Sequence, residues 1–166
     1  MRKRVSTLMA LAFIAFLVFT SLNFAEDEPY INQTLDGLVS LEVPLEKSFA
    51  PASVNGSLGS LREYCTNNTD GNFRNGSLIL YYYNASVLDD NESDVVGHVL
   101  DDLVSTYHYK LNQNDEDMII LENDADMCGI PPFLAGKGNG NGSLVLIGGE
   151  NLNELESYVN KLSFVS

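Results

Sequence analysis

Basic residues, cysteine and tryptophan are scarce in this chain. Nine lysine and arginine residues stand against 23 acidic residues in 166 positions, and tryptophan is absent. Proteins bind nucleic acid and anionic lipid headgroups largely through lysine and arginine side chains, which displace counterions. The shortage of basic residues therefore argues against nucleic acid as a partner.

Long apolar runs are also scarce, and the longest one lies near the N-terminus. Arg2, Lys3 and Arg4 precede an unbroken apolar run of 12 residues, Leu8 to Phe19, and small and polar residues follow as far as Ala25. This is the three-part layout of a secretory signal, whereas a membrane-spanning helix needs about 20 apolar residues. The pattern predicts a signal peptide at residues 1–25, with an uncleaved membrane anchor as the alternative.

Removal of the signal peptide would leave 141 residues, the size of one ordinary domain. All 23 acidic residues but only six of the nine basic ones follow residue 25, so the mature chain would carry a formal charge of −17. Residues 26–36 are predicted to form an exposed leader, and residues 37–166 a single domain. We expect this domain to be secreted or to lie on the extracellular face of the cell envelope, with only the N-terminal segment meeting the membrane.

Cysteine occurs twice, at Cys65 and Cys128, with 62 residues between the two. An even number of cysteines in an exported chain predicts a disulfide, and closing a loop of this length stabilises a fold by about 4 kcal/mol. A redox-active pair is the alternative, but such pairs typically have C-x-x-C spacing. The sequence therefore predicts one structural disulfide between Cys65 and Cys128.

The acceptor pattern for N-glycosylation, Asn-x-Ser/Thr, is over-represented. The mature chain has 16 asparagines and 17 serine or threonine residues, from which about two such sequons would arise by chance. Seven occur, at Asn32, Asn55, Asn67, Asn75, Asn84, Asn91 and Asn141. An excess of sequons in a chain with an export signal predicts a glycoprotein of the cell surface.

Three of the sequons contain the string NGS, which also has other interpretations. Asn-Gly favours a tight turn because both residues tolerate positive φ, and apolar stretches follow Ser77 and Ser143. A phosphate-binding loop would need G-x-x-x-x-G-K-[ST] between a strand and a helix. Around Gly136 and Lys137 this spacing fails, because Pro131 stands where the first glycine is needed. We therefore predict turns that can also carry sugar, and no cofactor.

The apolar patterns predict an α+β domain. Strands are predicted at residues 37–43, 77–83, 118–121, 131–135 and 143–149. The second of these is apolar on both faces and so central, whereas two prolines place the fourth at an edge. Helical periodicity begins near the acidic residues Asp89, Asp90, Glu92 and Asp94, which the helix dipole favours at a helix start. It begins again after Asn151, which fits the capping-box pattern with Glu154. The expected fold is a largely antiparallel sheet of about five or six strands with two main amphipathic helices packed against it.

The order of these elements resembles a known family. In the progression from GLVSLEVP through SLILYYY and the long helix to a last helix ending in KLSF, the chain resembles the exported PsbP/Mog1-like small α/β sandwich proteins. The resemblance covers about 120 residues and rests on element order. It implies the fold alone and transfers no functional residue.

His98 and His108 are the only candidates for a base at neutral pH. His98 falls on the polar side of its predicted helix, and His108 lies between two tyrosines near the end of that helix. The G-x-S-x-G pattern of a hydrolase nucleophile is missing, because the glycine before Ser57 stands one place too late. The sequence predicts no catalytic residue, and it favours a non-enzymatic protein without deciding the question.

Three acidic residues, Glu122, Asp124 and Asp126, alternate as calcium ligands do in some loops. The EF-hand pattern would require glycine in place of Met127 and glutamate in place of Phe133. We therefore predict solvated loop charge and no metal site.

The run Tyr81, Tyr82 and Tyr83 could offer an aromatic platform to a sugar or a partner. Adjacent residues of a strand point to opposite faces, so Tyr82 would lie on the opposite side from its neighbours. We predict that these rings are buried.

Together these features predict an exported, N-glycosylated α+β domain with a binding or structural role in the cell envelope. Its partner would be an envelope protein or a glycan. The alternative is an extracellular enzyme or small-ligand carrier whose site is built from loops. A closed core with dispersed glycan sites would favour the first, and converging polar groups near His98, His108 or Asp124 would favour the second.

Overall fold

A computed structural model describes residues 29–54, 56–89, 92–115, 117–123 and 129–165. The predicted signal peptide at residues 1–25 lies outside them, and no helix within them is long and apolar enough to cross a membrane. The α-helices are α1 (Val95–Ser105) and α2 (Leu152–Lys161). The strands are β1 (Tyr30–Leu35), β2 (Val39–Pro44), β3 (Ala50–Pro51), β4 (Arg62–Cys65), β5 (Ile79–Asn84), β6 (Lys110–Asn114), β7 (Ile119–Glu122), β8 (Phe133–Gly138), β9 (Ser143–Gly149) and β10 (Ser163–Phe164).

The described strands form two antiparallel sheets. The larger sheet has seven strands in the order β3-β4-β5-β9-β8-β7-β6, and the smaller sheet has three in the order β1-β2-β10. The α+β prediction, with a largely antiparallel sheet and two amphipathic helices, is confirmed. Strands outnumber the expected five or six because β3 and β10 are only two residues long and β6 is polar, so their apolar periodicity is weak.

The larger sheet lies between two layers of apolar side chains. α1 packs on one face, and α2 packs on the other face together with the smaller sheet. In β5, Tyr81 and Tyr83 point to the α1 side, whereas Leu80 and Tyr82 point to the α2 side. Both faces are covered, which explains why β5 and β9 are continuous apolar runs. Burying each large apolar side chain contributes about 1.5–3 kcal/mol.

Side-chain caps determine where both helices begin. The Asp94 carboxylate accepts a hydrogen bond from the Gly97 N–H group at 3.0 Å, and the Asn151 side-chain oxygen accepts one from the Glu154 N–H group at 3.4 Å. These bonds satisfy N–H groups that have no partner within the helix. α1 ends at Ser105, and a left-handed φ of 60° at His108 then turns the chain towards β6.

The predicted exposed leader at residues 26–36 contains a strand, because residues 30–35 form β1. Ile31, Gln33 and Leu35 are the less exposed residues of this strand and alternate with exposed ones. The Gln33 side chain donates to the Phe49 carbonyl at 2.6 Å and accepts from the Phe49 N–H group at 2.8 Å. Because charged residues precede Pro29, the alternation of residue types in this strand was read as part of a charged leader.

The prediction of an edge strand at residues 131–135 is wrong. β8 begins at Phe133, after both prolines, and lies inside the sheet between β7 and β9. The carbonyl of Pro131 accepts a hydrogen bond from the Tyr109 hydroxyl at 2.6 Å, and that of Pro132 accepts one from the Asn123 N–H group at 2.7 Å. The prolines therefore belong to a buried turn.

Candidate functional site

Most of the described sequon asparagines reach solvent. Asn32, Asn67, Asn75 and Asn141 are exposed. Asn84 is half-buried, and its side-chain oxygen accepts a hydrogen bond from the backbone N–H group of Ser86 at 2.8 Å. The predicted sites Asn55 and Asn91 lie outside the described residues.

These asparagines lie on different sides of the domain. Asn84 pairs with Ser143 across β5 and β9, so Asn84 and Asn141 lie at one end of the larger sheet. Asn67 and Asn75 lie in the connection from β4 to β5, at the opposite end of that sheet. Asn32 lies in the smaller sheet. Sugars at these positions would therefore project in several directions.

The turn interpretation is confirmed at the two NGS strings that begin at Asn75 and Asn141, whereas Asn55 of the third lies outside the described residues. The glycines have positive φ, namely 95° at Gly56, 76° at Gly76 and 81° at Gly142, whereas Asn75 and Asn141 do not, so the expected pair of successive positive φ values is not formed. Between β8 and β9 the Asn139 side-chain oxygen accepts hydrogen bonds from the N–H groups of Asn141, at 2.9 Å, and Ser143, at 3.0 Å. An asparagine side chain of this kind stabilises a turn.

The phosphate-binding spacing fails around Gly136 and Lys137, and both residues lie within β8. A Cβ atom at Gly136 would lie 1.9 Å from the carbonyl oxygen of Val145 in the neighbouring strand. Glycine at this position therefore permits two strands to approach closely.

Cys65 lies in the apolar layer under α1 and is 1% exposed. Burial raises the pKa of the Cys65 thiol to about 11, so a free thiol there would stay protonated at neutral pH. Cys128 lies outside the described residues, so the disulfide remains a prediction. The next residue, Gly129, accepts a hydrogen bond from the Phe73 N–H group at 3.1 Å, and both Phe73 and Ile130 pack against the Cys65 layer.

The two histidines lie at different points of the α1 region. His98 is half-buried on α1, where its Nδ1 atom contacts the Glu92 carboxylate. His108 is exposed and lies beyond the end of the helix. The contact with Glu92 gives His98 a role in holding the segment before α1.

The acidic string is only partly described. Glu122 ends β7 and accepts a hydrogen bond from the Asn112 side chain at 2.9 Å, whereas Asp124 and Asp126 lie outside the described residues. Within the described part of the chain, no three acidic, histidine or cysteine side chains are arranged to hold a metal ion.

The burial predicted for the three tyrosines is confirmed. Tyr81 and Tyr83 are buried under α1, and Tyr82 is buried on the opposite face. The Tyr83 hydroxyl donates to the Leu58 carbonyl at 3.1 Å, and the Tyr82 hydroxyl lies 3.1 Å from the Ser143 hydroxyl. These rings form core contacts and offer no exposed platform.

One buried carboxylate was not predicted from the sequence. Glu63 in β4 is 1% exposed, and its Oε1 atom accepts hydrogen bonds from the hydroxyls of Ser57 and Ser60, each at 2.7 Å. Burying a polar group costs less free energy when it is hydrogen-bonded in this way. The bonds attach the turn at Leu58, which has a left-handed φ of 51°, to the sheet. Ser57 and Ser60 precede the strand, which was the only signal available in the sequence.

A second missed feature is a cleft of about 690 Å³ between α1 and β6. We call it the α1–β6 cleft. Its lining is mainly aliphatic and aromatic, and it includes neither histidine. The lining residues are Leu100, Asp101, Val104, Ser105, Tyr109, Lys110 and Leu111.

Comparisons with protein-family models, with curated proteins and with solved structures found no match to this chain. The resemblance to the PsbP/Mog1-like proteins therefore remains a prediction. The fold and the exposed groups described above are the basis for the proposals that follow.

Proposed function

We propose that this chain is an exported, N-glycosylated domain that acts in the cell envelope as a non-enzymatic binding or structural module. The observation that carries this proposal is the exposure of sequon asparagines on several sides of the domain. The larger sheet is covered on both faces, so little of its interior is available for a deep active site. The predicted disulfide between Cys65 and Cys128 belongs to the same proposal, because pairing requires an oxidising compartment.

Intact mass spectrometry of the protein from its native host tests the proposal. We expect a mass that lacks residues 1–25, exceeds the mass of the remaining polypeptide by attached sugar, and falls after treatment with a peptide N-glycosidase. A mass equal to that of the full, reduced and unmodified chain would contradict it.

A pair of variants makes this test specific. Asn75→Gln removes one sequon from an exposed loop, whereas Asn72→Gln changes an exposed asparagine of the same loop that lies in no sequon. We expect the first variant to lose the mass of one glycan and the second to lose none. Equal masses for both variants, after allowance for the substitutions, would exclude sugar at Asn75.

The alternative function is an extracellular enzyme or a small-ligand carrier. One observation favours the carrier: the α1–β6 cleft is large enough for a small apolar molecule and has an apolar lining. Its polar groups, Asp101, Ser105 and Lys110, lie on adjoining elements and include no histidine. Saturable binding of a small molecule that is blocked by a bulky residue at Ser105 would favour this alternative.

A further inference from the structure

β6 is an exposed edge of the larger sheet. It pairs with β7 on one side, and no described strand pairs with it on the other. All five of its side chains are exposed. The opposite edge, β3, has only two residues, and one of them is Pro51, which has no N–H group to donate. β6 is therefore the longer edge at which another strand could form backbone hydrogen bonds.

The α1–β6 cleft lies directly beside this edge. Leu100 and Tyr109 are buried at its base, whereas Val104 is 42% exposed and Leu111 is 40% exposed. These are two of the six large apolar side chains exposed in the described part of the chain. An apolar cleft beside a strand edge can receive alternate side chains of an added strand, because successive residues of a strand point to opposite faces.

The charges around the edge favour a cationic partner. Asp101 lines the cleft, and Asp115 and Asp117 follow β6, whereas Lys110 is the one basic residue in the lining. The mature chain would carry a formal charge of −17, so two copies of it repel each other. Lys110 and a register shift between Leu111 and Gln113 also discourage the pairing of two identical edges.

No described sequon asparagine lies on α1 or β6. None of the seven lies between residues 92 and 140, the stretch that forms α1 and strands β6 to β8. Sugar at Asn141 would lie near Asn114 and Asp115 at the end of β6, because Asn139 and Gly140 of its loop line a pocket together with them. The α1–β6 cleft lies at the start of β6 instead, so the cleft stays open to a partner if the described sites carry sugar. This one step rests on the proposed glycosylation, whereas the edge, the cleft and the charges do not.

We propose that the α1–β6 edge binds an extended, cationic segment of a partner polypeptide. The segment adds a strand to β6 and places alternate aliphatic side chains in the cleft. Backbone hydrogen bonds supply affinity in this mode, and the cleft selects the side chains. Lysine or arginine residues of the segment face Asp101, Asp115 and Asp117.

A random dodecapeptide library displayed on phage tests the proposal, with the secreted protein as bait after enzymatic removal of any sugar. We expect the selected peptides to alternate aliphatic with basic residues. Their binding should shift the amide NMR signals of β6 and of the second half of α1. A proline in the middle of a selected peptide should abolish binding, because it keeps the peptide charge but removes a backbone donor.

Leu111→Asp and Val54→Asp form a matched pair of protein variants. Both add one negative charge at an exposed aliphatic residue, and Val54 is the more exposed of the two at 62%. We expect Leu111→Asp to weaken peptide binding about tenfold and Val54→Asp to leave it within twofold. Leu111→Ser provides the same comparison without added charge if the aspartate variant unfolds.

Four results would overturn the proposal. They are the absence of any enriched peptide, NMR shifts that map away from β6, equal effects of the Leu111 and Val54 variants, and dimerisation of the chain through β6. Failure of the glycosylation proposal is recognised separately by mass spectrometry, since peptide binding is measured on sugar-free protein.

Discussion

Four tyrosine side chains are buried in the apolar layers of the sheet, namely Tyr64, Tyr81, Tyr83 and Tyr109. Burial is the main reason that the pKa of each hydroxyl is raised. The Tyr64 hydroxyl also donates to the Asp36 carboxylate at 2.8 Å, which acts in the same direction. These hydroxyls are held in the protonated form by the fold. The free energy of unfolding should therefore fall at alkaline pH.

We predict that the free energy of unfolding falls as the pH rises above about 10, the usual pKa of tyrosine. Below that pH the hydroxyls are protonated in both states, and their contribution is fully present. Above it the unfolded chain loses protons that the folded chain keeps, and each such proton lowers stability by about 1.4 kcal/mol per pH unit. Denaturant titrations between pH 8 and pH 11, with phenolate absorbance followed in parallel, measure this effect.

Tyr83→Phe and Tyr30→Phe test the origin of that slope. Tyr83 is buried and Tyr30 is exposed on β1. The slope of the unfolding free energy against pH measures how many more protons the folded state binds than the unfolded state. We expect this number to be smaller by about one in Tyr83→Phe than in Tyr30→Phe. The same slope in both variants would show that buried tyrosines do not cause the alkaline loss.

At Cys65 we predict a disulfide with Cys128 that stabilises the domain by about 4 kcal/mol. Reductant should lower the free energy of unfolding of the wild-type protein by that amount. It should have no effect on Cys65→Ala, which lacks the bond already. Denaturant titrations with and without reductant measure both effects. Wild-type stability that is insensitive to reductant would show that the two cysteines are not paired.

At the scale of elements, Gly136 permits the close approach between β8 and β9. A Cβ atom at Gly136 would lie 1.9 Å from a backbone oxygen, whereas one at Gly138, in the same strand, would lie 3.1 Å from the end of the Val96 side chain. We predict that Gly136→Ala destabilises the domain by about 1–3 kcal/mol, and that Gly138→Ala has a smaller effect. The midpoints of thermal unfolding of the two variants test this prediction, and equal midpoints would contradict it.

Helices and strands were most predictable where a few neighbouring residues are enough to indicate them. The apolar runs of β5 and β9 and the cap at Asn151 are signals of this kind. β6 has no such signal, because all its side chains are exposed and its order comes from backbone pairing with β7.

The whole molecule is strongly acidic, and its net charge opposes compactness. The ion pairs found among the described residues are Lys47–Glu154, Arg74–Asp70, His98–Glu92 and Lys161–Glu42. With 23 acidic residues against nine basic ones in the full sequence, the net electrostatic interaction is repulsive. Salt screens exposed charges over about 10 Å at 0.1 M.

We predict that sodium chloride stabilises the folded domain. Raising its concentration from about 0.01 M to about 0.3 M shortens the screening length from roughly 30 Å to less than 10 Å, so repulsion falls more than the few exposed attractions do. The midpoint of thermal unfolding should rise, and potassium chloride should have the same effect. A midpoint that falls with either salt would show that attractive pairs dominate.

The sequence by itself determined the α+β class, the strand and helix signals of the central elements, the turns at NGS and the burial of Tyr81 to Tyr83. Each of these depends on the periodicity or conformational preference of neighbouring residues. Only the tertiary structure decided that residues 30–35 pair with β2, that β8 lies inside the sheet, that Glu63 is buried, and that a cleft opens beside β6. These features depend on backbone pairing and packing between segments far apart in the chain, so the local pattern of apolar residues does not predict them.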